Sequence, residues 1–129
     1  MSIKVIIIQT SESGFGFMED LLGEVNLLDD PRIILLRSFA DEEIKSVVRD
    51  GGHQLFVTGS IRGNEQKAIH LIGELKSLNS RLVCCIFSTE NFVDVGDADL
   101  FLQKTLSEKD FGQTRTRLVH LINSFLQED

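Results

Sequence analysis

Five short apolar runs punctuate the chain, and each is followed by a longer amphipathic or polar stretch. They are Lys4–Gln9 (KVIIIQ), Arg32–Arg37 (RIILLR), Gln54–Thr58 (QLFVT), Leu82–Ser88 (LVCCIFS) and Leu100–Lys104 (LFLQK). Aliphatic and β-branched runs without alternation are what strands covered on both faces require, so these five predict a parallel sheet.

The intervening segments carry helical periodicity. Met18, Leu21, Leu22, Val25 and Leu28 recur at spacings of three and four, up to a turn at Asp29, Asp30 and Pro31. Ile44, Val47 and Val48 predict a second helix, with Asp41 as N-cap and Gly51–Gly52 as its stop. Asn64 is the expected cap of a third, whose apolar face is Ala68, Leu71, Ile72, Leu75 and Leu78. Ser107 and Asp110 have capping-box spacing for a last helix with an inward stripe of Phe111, Leu118, Leu121, Ile122 and Phe125. Alternating strands and helices with short connections imply right-handed crossovers within one domain over residues 1–129. The fourth crossover breaks the pattern. Only Thr89–Asp99 (TENFVDVGDAD) separates the last two strands, too little for a full helix and two turns, so a single turn or an irregular loop is expected.

A chain of 129 residues is sized for one domain whose core needs no disulfide or metal. With 42% hydrophobic and 26% charged residues it has a globular balance. The formal charge of -7, without a visible basic patch, argues against direct binding of nucleic acid or of an anionic membrane surface. Cys84 and Cys85 are adjacent in a strand and so point to opposite faces; both are expected as buried free thiols of a reducing cytoplasm. The first apolar run is too short for a secretory leader, and no segment has the length to span a bilayer. His53, His70 and His120 lack companions at ligand spacing, so no metal site is expected.

In an open parallel sheet, ligands gather at the carboxyl ends of the strands. Those ends carry Gln9, Thr10 and Ser11; Thr58, Gly59 and Ser60; Ser88 and Thr89; and Lys104 and Thr105. The set is hydroxyls, one amide and one ammonium. No carboxylate ends a strand, and Glu12, Glu90 and Asp94 are assigned to nearby loops.

Over nearly its whole length the chain resembles the receiver domain of bacterial response regulators. The likeness rests on Ala98–Thr105 (ADLFLQKT), His53–Thr58 (HQLFVT) and Lys4–Thr10 (KVIIIQT), in that family's order and spacing. It implies a flavodoxin-like (βα)5 doubly wound fold with strand order 2-1-3-4-5 and, here, a shortened or missing fourth helix. The family's lysine falls on Lys104, its switch aromatic on Phe101 and its strand-four hydroxyl on Ser88. Its phospho-accepting aspartate falls on Thr58, and its metal-binding acidic pair on Gln9 and Thr10. All three acidic positions are therefore neutral. A hydroxyl and an amide cannot neutralise a divalent cation, and an alcohol does not accept a phosphoryl group as the family's carboxylate does.

The resemblance and these departures together imply a degenerate receiver: no enzyme, no cofactor, and a signalling or regulatory role through a protein partner, a second copy of the chain being one candidate. The expected partner surface is Phe92, Val93 and Phe101 with the outer face of the last helix. Thr58, Ser60, Arg62, Ser88 and Lys104 form a candidate anion site; the plainer alternative has Lys104 bonding its own loops and Arg62 solvated. A second function class comes from Ser11–Gly16 (SESGFG), expected as a loop between the first strand and helix. It resembles the phosphate loop of flavodoxins, which implies binding of FMN or another phosphate-bearing small molecule. Against it stands the absence of Trp and Tyr, the residues that usually flank the flavin ring.

Overall fold

The computed structural model describes residues 3–37, 41–59, 65–88, 95–103 and 108–127; the side chains of Asp41, Gln103 and residues 108–111 are not part of that description. Five strands, β1 (Val5–Ile8), β2 (Ile33–Leu36), β3 (Leu55–Thr58), β4 (Val83–Ser88) and β5 (Leu100–Gln103), form one sheet. Its order is β2-β1-β3-β4-β5, and every pairing is parallel. The helices are α1 (Glu12–Glu24), α2 (Asp41–Arg49), α3 (Glu65–Leu78) and α4 (Glu108–Gln127). This is the flavodoxin-like α/β architecture expected from the sequence, with α4 in the place of the fifth helix.

Strand alternation divides the core in two. Ile6, Ile8, Phe56, Cys84 and Ile86 face α2 and α3, whereas Ile7, Val57, Cys85 and Phe87 face α1 and α4. Every residue of β1 and β3 is buried, which is why those runs show no polar alternation. Cys84 and Cys85 stand on opposite faces as free, buried thiols, and burial pushes both up to about 12.

Three boundaries differ from the sequence reading. Ser11–Gly16 is not a loop, because Ser11 caps α1 and the helix already runs from Glu12. Leu28 lies beyond that helix and is 45% exposed. The reason is Asn26, whose φ of 61° ends α1 in a left-handed residue. Its N–H donates to the Gly23 carbonyl while that of Leu27 donates to Leu22, closing a Schellman motif before the apolar repeat is finished. Asp41, expected as the cap of α2, is its first helical residue. The expected caps Asn64 and Ser107 lie outside the described residues, as do the side chains of Asp110 and Phe111. Gly51 and Gly52 have φ of 79° and 89° and end α2 as anticipated.

At the amino-terminal edge of the sheet, a buried polar pair unites three segments. The Gln54 amide donates to the carbonyls of Ile3 and Val47, and Asn79 donates to Gln54 Oε1 and to the Gly52 carbonyl. The end of the fourth crossover is equally well tied. Gly96, at φ 54°, lies so near Ile69 that an added Cβ would fall 2.6 Å from its Cγ2. Val95 and Ala98 pack on the α2–α3 cluster. Asp99 accepts from the Cys84 N–H at 2.9 Å and from the Lys76 ammonium at 2.6 Å, while its own N–H donates to the Cys84 carbonyl. The tail of the short crossover thus lies directly on α3.

Candidate functional site

The carboxyl ends of β1, β3 and β4 bring Gln9, Thr58, Gly59 and Ser88 to one end of the sheet. Gln9 follows β1, held in register by its N–H donating to the Leu36 carbonyl at 3.0 Å. Two residues later Ser11 turns the chain into α1. Its hydroxyl accepts from the Gly14 N–H at 3.0 Å and its carbonyl accepts from the Phe15 N–H at 2.9 Å. Such a cap stabilises a helix by about 1 kcal/mol and leaves the positive end of α1 at the end of β1.

The Gln9 side chain is folded in beneath this turn and is only 7% exposed. Its amide lies against two glycines. A Cβ on Gly14 would fall 2.7 Å from Gln9 Oε1 and 2.6 Å from Ser11 Oγ, and a Cβ on Gly59 would fall 3.9 Å from Gln9 Nε2. Gly14 is what makes room for the amide, whereas at Gly59 the tight neighbour is the Phe87 carbonyl, 3.1 Å from an added Cβ. Among the described residues Gln9 Nε2 nonetheless has no hydrogen-bond acceptor, although it is buried. Leaving a buried amide donor unmatched costs about 1–3 kcal/mol.

Thr58 is completely buried, and its hydroxyl donates to the Gly59 carbonyl at 2.9 Å. Ser88 is buried as well and lies two residues beyond the position of β4 that pairs with Thr58. Alternation along β3 and β4 sets Thr58 and Ser88 on the α2–α3 side, whereas Gln9 and Gly59 meet on the α1–α4 side. The site residues taken together from sequence therefore divide into two groups across the plane of the sheet. Thr10 lies at the surface next to Gln9 and is half-buried. Ser60, Arg62, Lys104, Phe92 and Val93, together with Glu90 and Asp94, lie outside the described residues. Glu12, assigned to a loop, is an exposed residue of the first turn of α1. Among the described residues no three His, Cys, Asp or Glu side chains are grouped so as to hold a metal ion.

Two features at this end escaped sequence reasoning. Arg37, just past β2, places its guanidinium 4.6 Å from the centre of the Phe15 ring, bringing a cation beside the first turns of α1. Gly14 reads in sequence as a loop glycine, and its contact with Gln9 is visible only once α1 is seen to begin at Glu12. The histidines are distributed as single residues with local contacts: His53 stacks on Phe125 at 4.3 Å, and His70 pairs with Glu74.

On the far edge of the sheet, Phe101 is half-buried and packs on the α2–α3 cluster. The outward residue of β5 is its neighbour Leu100, 40% exposed. Leu100, Leu102 and Leu121, with Arg117, His120 and Ser124, line an apolar groove of about 470 Å³ between β5 and α4. No helix among the described residues is long and apolar enough to cross a membrane.

Comparison with protein families, with curated proteins and with solved structures finds no match to this chain.

Proposed function

We propose that the chain is a degenerate receiver that works as a signalling or regulatory protein-interaction module, in the cytoplasm and without phosphorylation. The observation that carries this reading is the state of Thr58. It stands where the receiver resemblance puts the phospho-accepting aspartate, and it is a fully buried alcohol engaged with the Gly59 carbonyl. Attack on a phosphoryl donor would need that hydroxyl exposed, deprotonated and beside a divalent cation. The two positions of the resemblance's acidic pair, Gln9 and Thr10, offer an amide and a hydroxyl, which are poor ligands for magnesium.

What supports an interaction role is the β5 edge. An outer strand presents unpaired backbone groups, and here it also carries Leu100 and the groove against α4. The free, buried cysteines fit a reducing compartment.

The test is incubation of the full chain with acetyl phosphate and magnesium, and separately with beryllofluoride and magnesium. The intact mass is expected to stay unchanged, and fluorine NMR is expected to give no protein-bound beryllofluoride signal. A phosphoryl adduct or a bound beryllofluoride would overturn the reading.

A further inference from the structure

Leu100 and Leu102 stand two residues apart on β5 and therefore on one face of the sheet, the face that α4 covers. The cover is incomplete. With Leu121 they line a trough of about 470 Å³, in which Leu100 is 40% exposed. Among the described residues β5 pairs only with β4, so its outer backbone groups can take a further strand. The α4 side of the trough is basic. It carries Arg117 and His120, and residues 111–127 are the longest stretch of the chain without a carboxylate, although the whole chain has a formal charge of -7. Arg115 of the same helix is paired with Glu24, whereas Arg117 and His120 have no carboxylate partner among the described residues.

A second copy of the chain does not suit this face. An isologous contact sets a patch against itself, and here would bring two basic helix faces together with no carboxylate between them. A bilayer surface cannot enter a concave trough, and nucleic acid is repelled by the net charge. A small molecule would be left largely in water, since Leu100, Thr116, Arg117, His120 and Ser124 are all exposed. An extended segment satisfies every feature at once, with backbone bonds to β5, an apolar side chain in the trough and a carboxylate toward Arg117. Side chains on one face of a strand recur at every second residue. Resting on the interaction role proposed above, we infer that the groove binds an extended segment of a partner protein in which a large apolar residue and a carboxylate stand two positions apart.

The experiment is a titration of the nitrogen-15-labelled full chain with the peptide acetyl-TLTETLTET-amide at fixed ionic strength. Two analogues run beside it, one with lysine for each glutamate and one with serine for each leucine. Saturable shifts at Leu100, Leu102, Arg117 and Leu121 are expected with the first peptide, and binding weaker by about threefold or more with both analogues. Arg117→Glu, on the exposed surface of α4, is expected to weaken the acidic peptide about three- to tenfold and to make the lysine analogue the tighter ligand. Arg49→Glu makes the same charge change on α2, across the sheet, and is expected to leave the order unaltered. Absence of saturation at the groove overturns the proposal, as does equal affinity for the lysine analogue, or an order that Arg117→Glu fails to reverse. Shifts of the same residues on diluting the protein without peptide would make a second copy the occupant and overturn it too. Beryllofluoride reports on the mouth of the sheet alone. A bound signal there overturns independence from phosphorylation while peptide binding stands, and missing peptide binding without such a signal overturns only the groove.

Discussion

Arg32 grips Asp30 from two residues away. Its backbone N–H and Nε donate to Asp30 Oδ1 at 2.9 and 3.0 Å, and Nη2 donates to Oδ2 at 2.8 Å. The remaining arm of the guanidinium, Nη1, donates to the Leu126 carbonyl at 2.7 Å, near the end of α4. A two-residue turn thereby connects the entry of edge strand β2 to a helix that lies 94 residues further along the chain. In sequence, Asp29, Asp30 and Pro31 signal only a turn. The long-range half of the contact depends on α4 ending beside β2, which no local pattern encodes.

Asp30→Ala is therefore expected to destabilise the fold by about 1–2 kcal/mol, through the loss of a charge-assisted, bidentate contact at a partly buried position. The side-chain hydrogen bond from Arg32, then its backbone N–H, hold the Asp30 carboxyl below its ordinary value of 3.8, against the opposing effect of burial. A carboxyl lowered in the folded state contributes stability that is complete above that ordinary value and is lost as pH falls through the folded one. Urea unfolding of both proteins at pH 7 and pH 2.5 checks this, and the difference between them should shrink at the lower pH.

Asp99 gives a second, separable series. Asp99→Asn keeps an acceptor for the Cys84 N–H but loses the charge facing Lys76, whereas Asp99→Ala loses both. The Asn variant is expected to cost about 0.5–1 kcal/mol and the Ala variant about 1–3 kcal/mol, since the latter leaves a backbone N–H unmatched at the start of β4. Burial raises the Asp99 carboxyl, but the Lys76 ammonium and the Cys84 N–H outweigh it and the net direction is downward. Its contribution is thus also lost toward acid pH. Thermal melts of the three proteins give the order, and hydrogen exchange should show the faster opening of β4 and β5 in the Ala variant.

The fold was legible because each of its strands is an uninterrupted apolar run. In a sheet covered on both faces, neighbouring residues such as Ile6 and Ile7 are both buried, one in each half of the core, and the short length of the runs, alternating with helical segments, sets them apart from buried helices. Boundaries were less legible where a single residue overrides the periodicity. Leu28 continues the repeat of α1 in sequence, yet Asn26 has already ended the helix. The mouth of the sheet was legible as a list of side chains but not as a geometry. Gln9, Thr58 and Ser88 could be named from strand ends alone. That Gln9 turns toward Gly14 and Gly59, away from Thr58, follows from strand alternation and from where α1 begins, and the second of these is set by the Ser11 cap. The crossover before β5 was legible in its length. Its attachment through Gly96 and Asp99 is a tertiary fit to α3, absent from any local signal.

Gly96→Ala tests that fit. The backbone is left-handed, at φ 54°, and the new methyl would meet Ile69 Cγ2 at 2.6 Å. Left-handed strain of about 1 kcal/mol and overpacking of about 1–3 kcal/mol act in the same direction. A fall in thermal midpoint is expected, with partial recovery in the double variant Gly96→Ala, Ile69→Ala, where the clash is removed but the strain stays. If Ile69→Ala restores nothing, the close approach of the crossover to α3 is not what limits this position.

The two thiols give the last expectation. Cys84 and Cys85 are both entirely buried on opposite faces of β4, and desolvation by burial is the largest cause of their pKa values of about 12. At Cys84 the Lys76 ammonium opposes this, whereas Asp99, Cys85 and Asp97 reinforce it. The thiolate is the form that attacks a disulfide reagent, so near pH 8 neither sulfur is chemically competent or accessible. Treatment of the native protein with Ellman's reagent at that pH is expected to release thionitrobenzoate only at the rate of unfolding, while in denaturant both cysteines react at once. The native rate should therefore follow denaturant concentration as global stability does, and Asp99→Ala, by loosening β4 next to Cys84, should accelerate it. Rapid reaction of either thiol in the folded protein would mean that β4 opens locally at far lower cost than its buried position between two layers of helices implies.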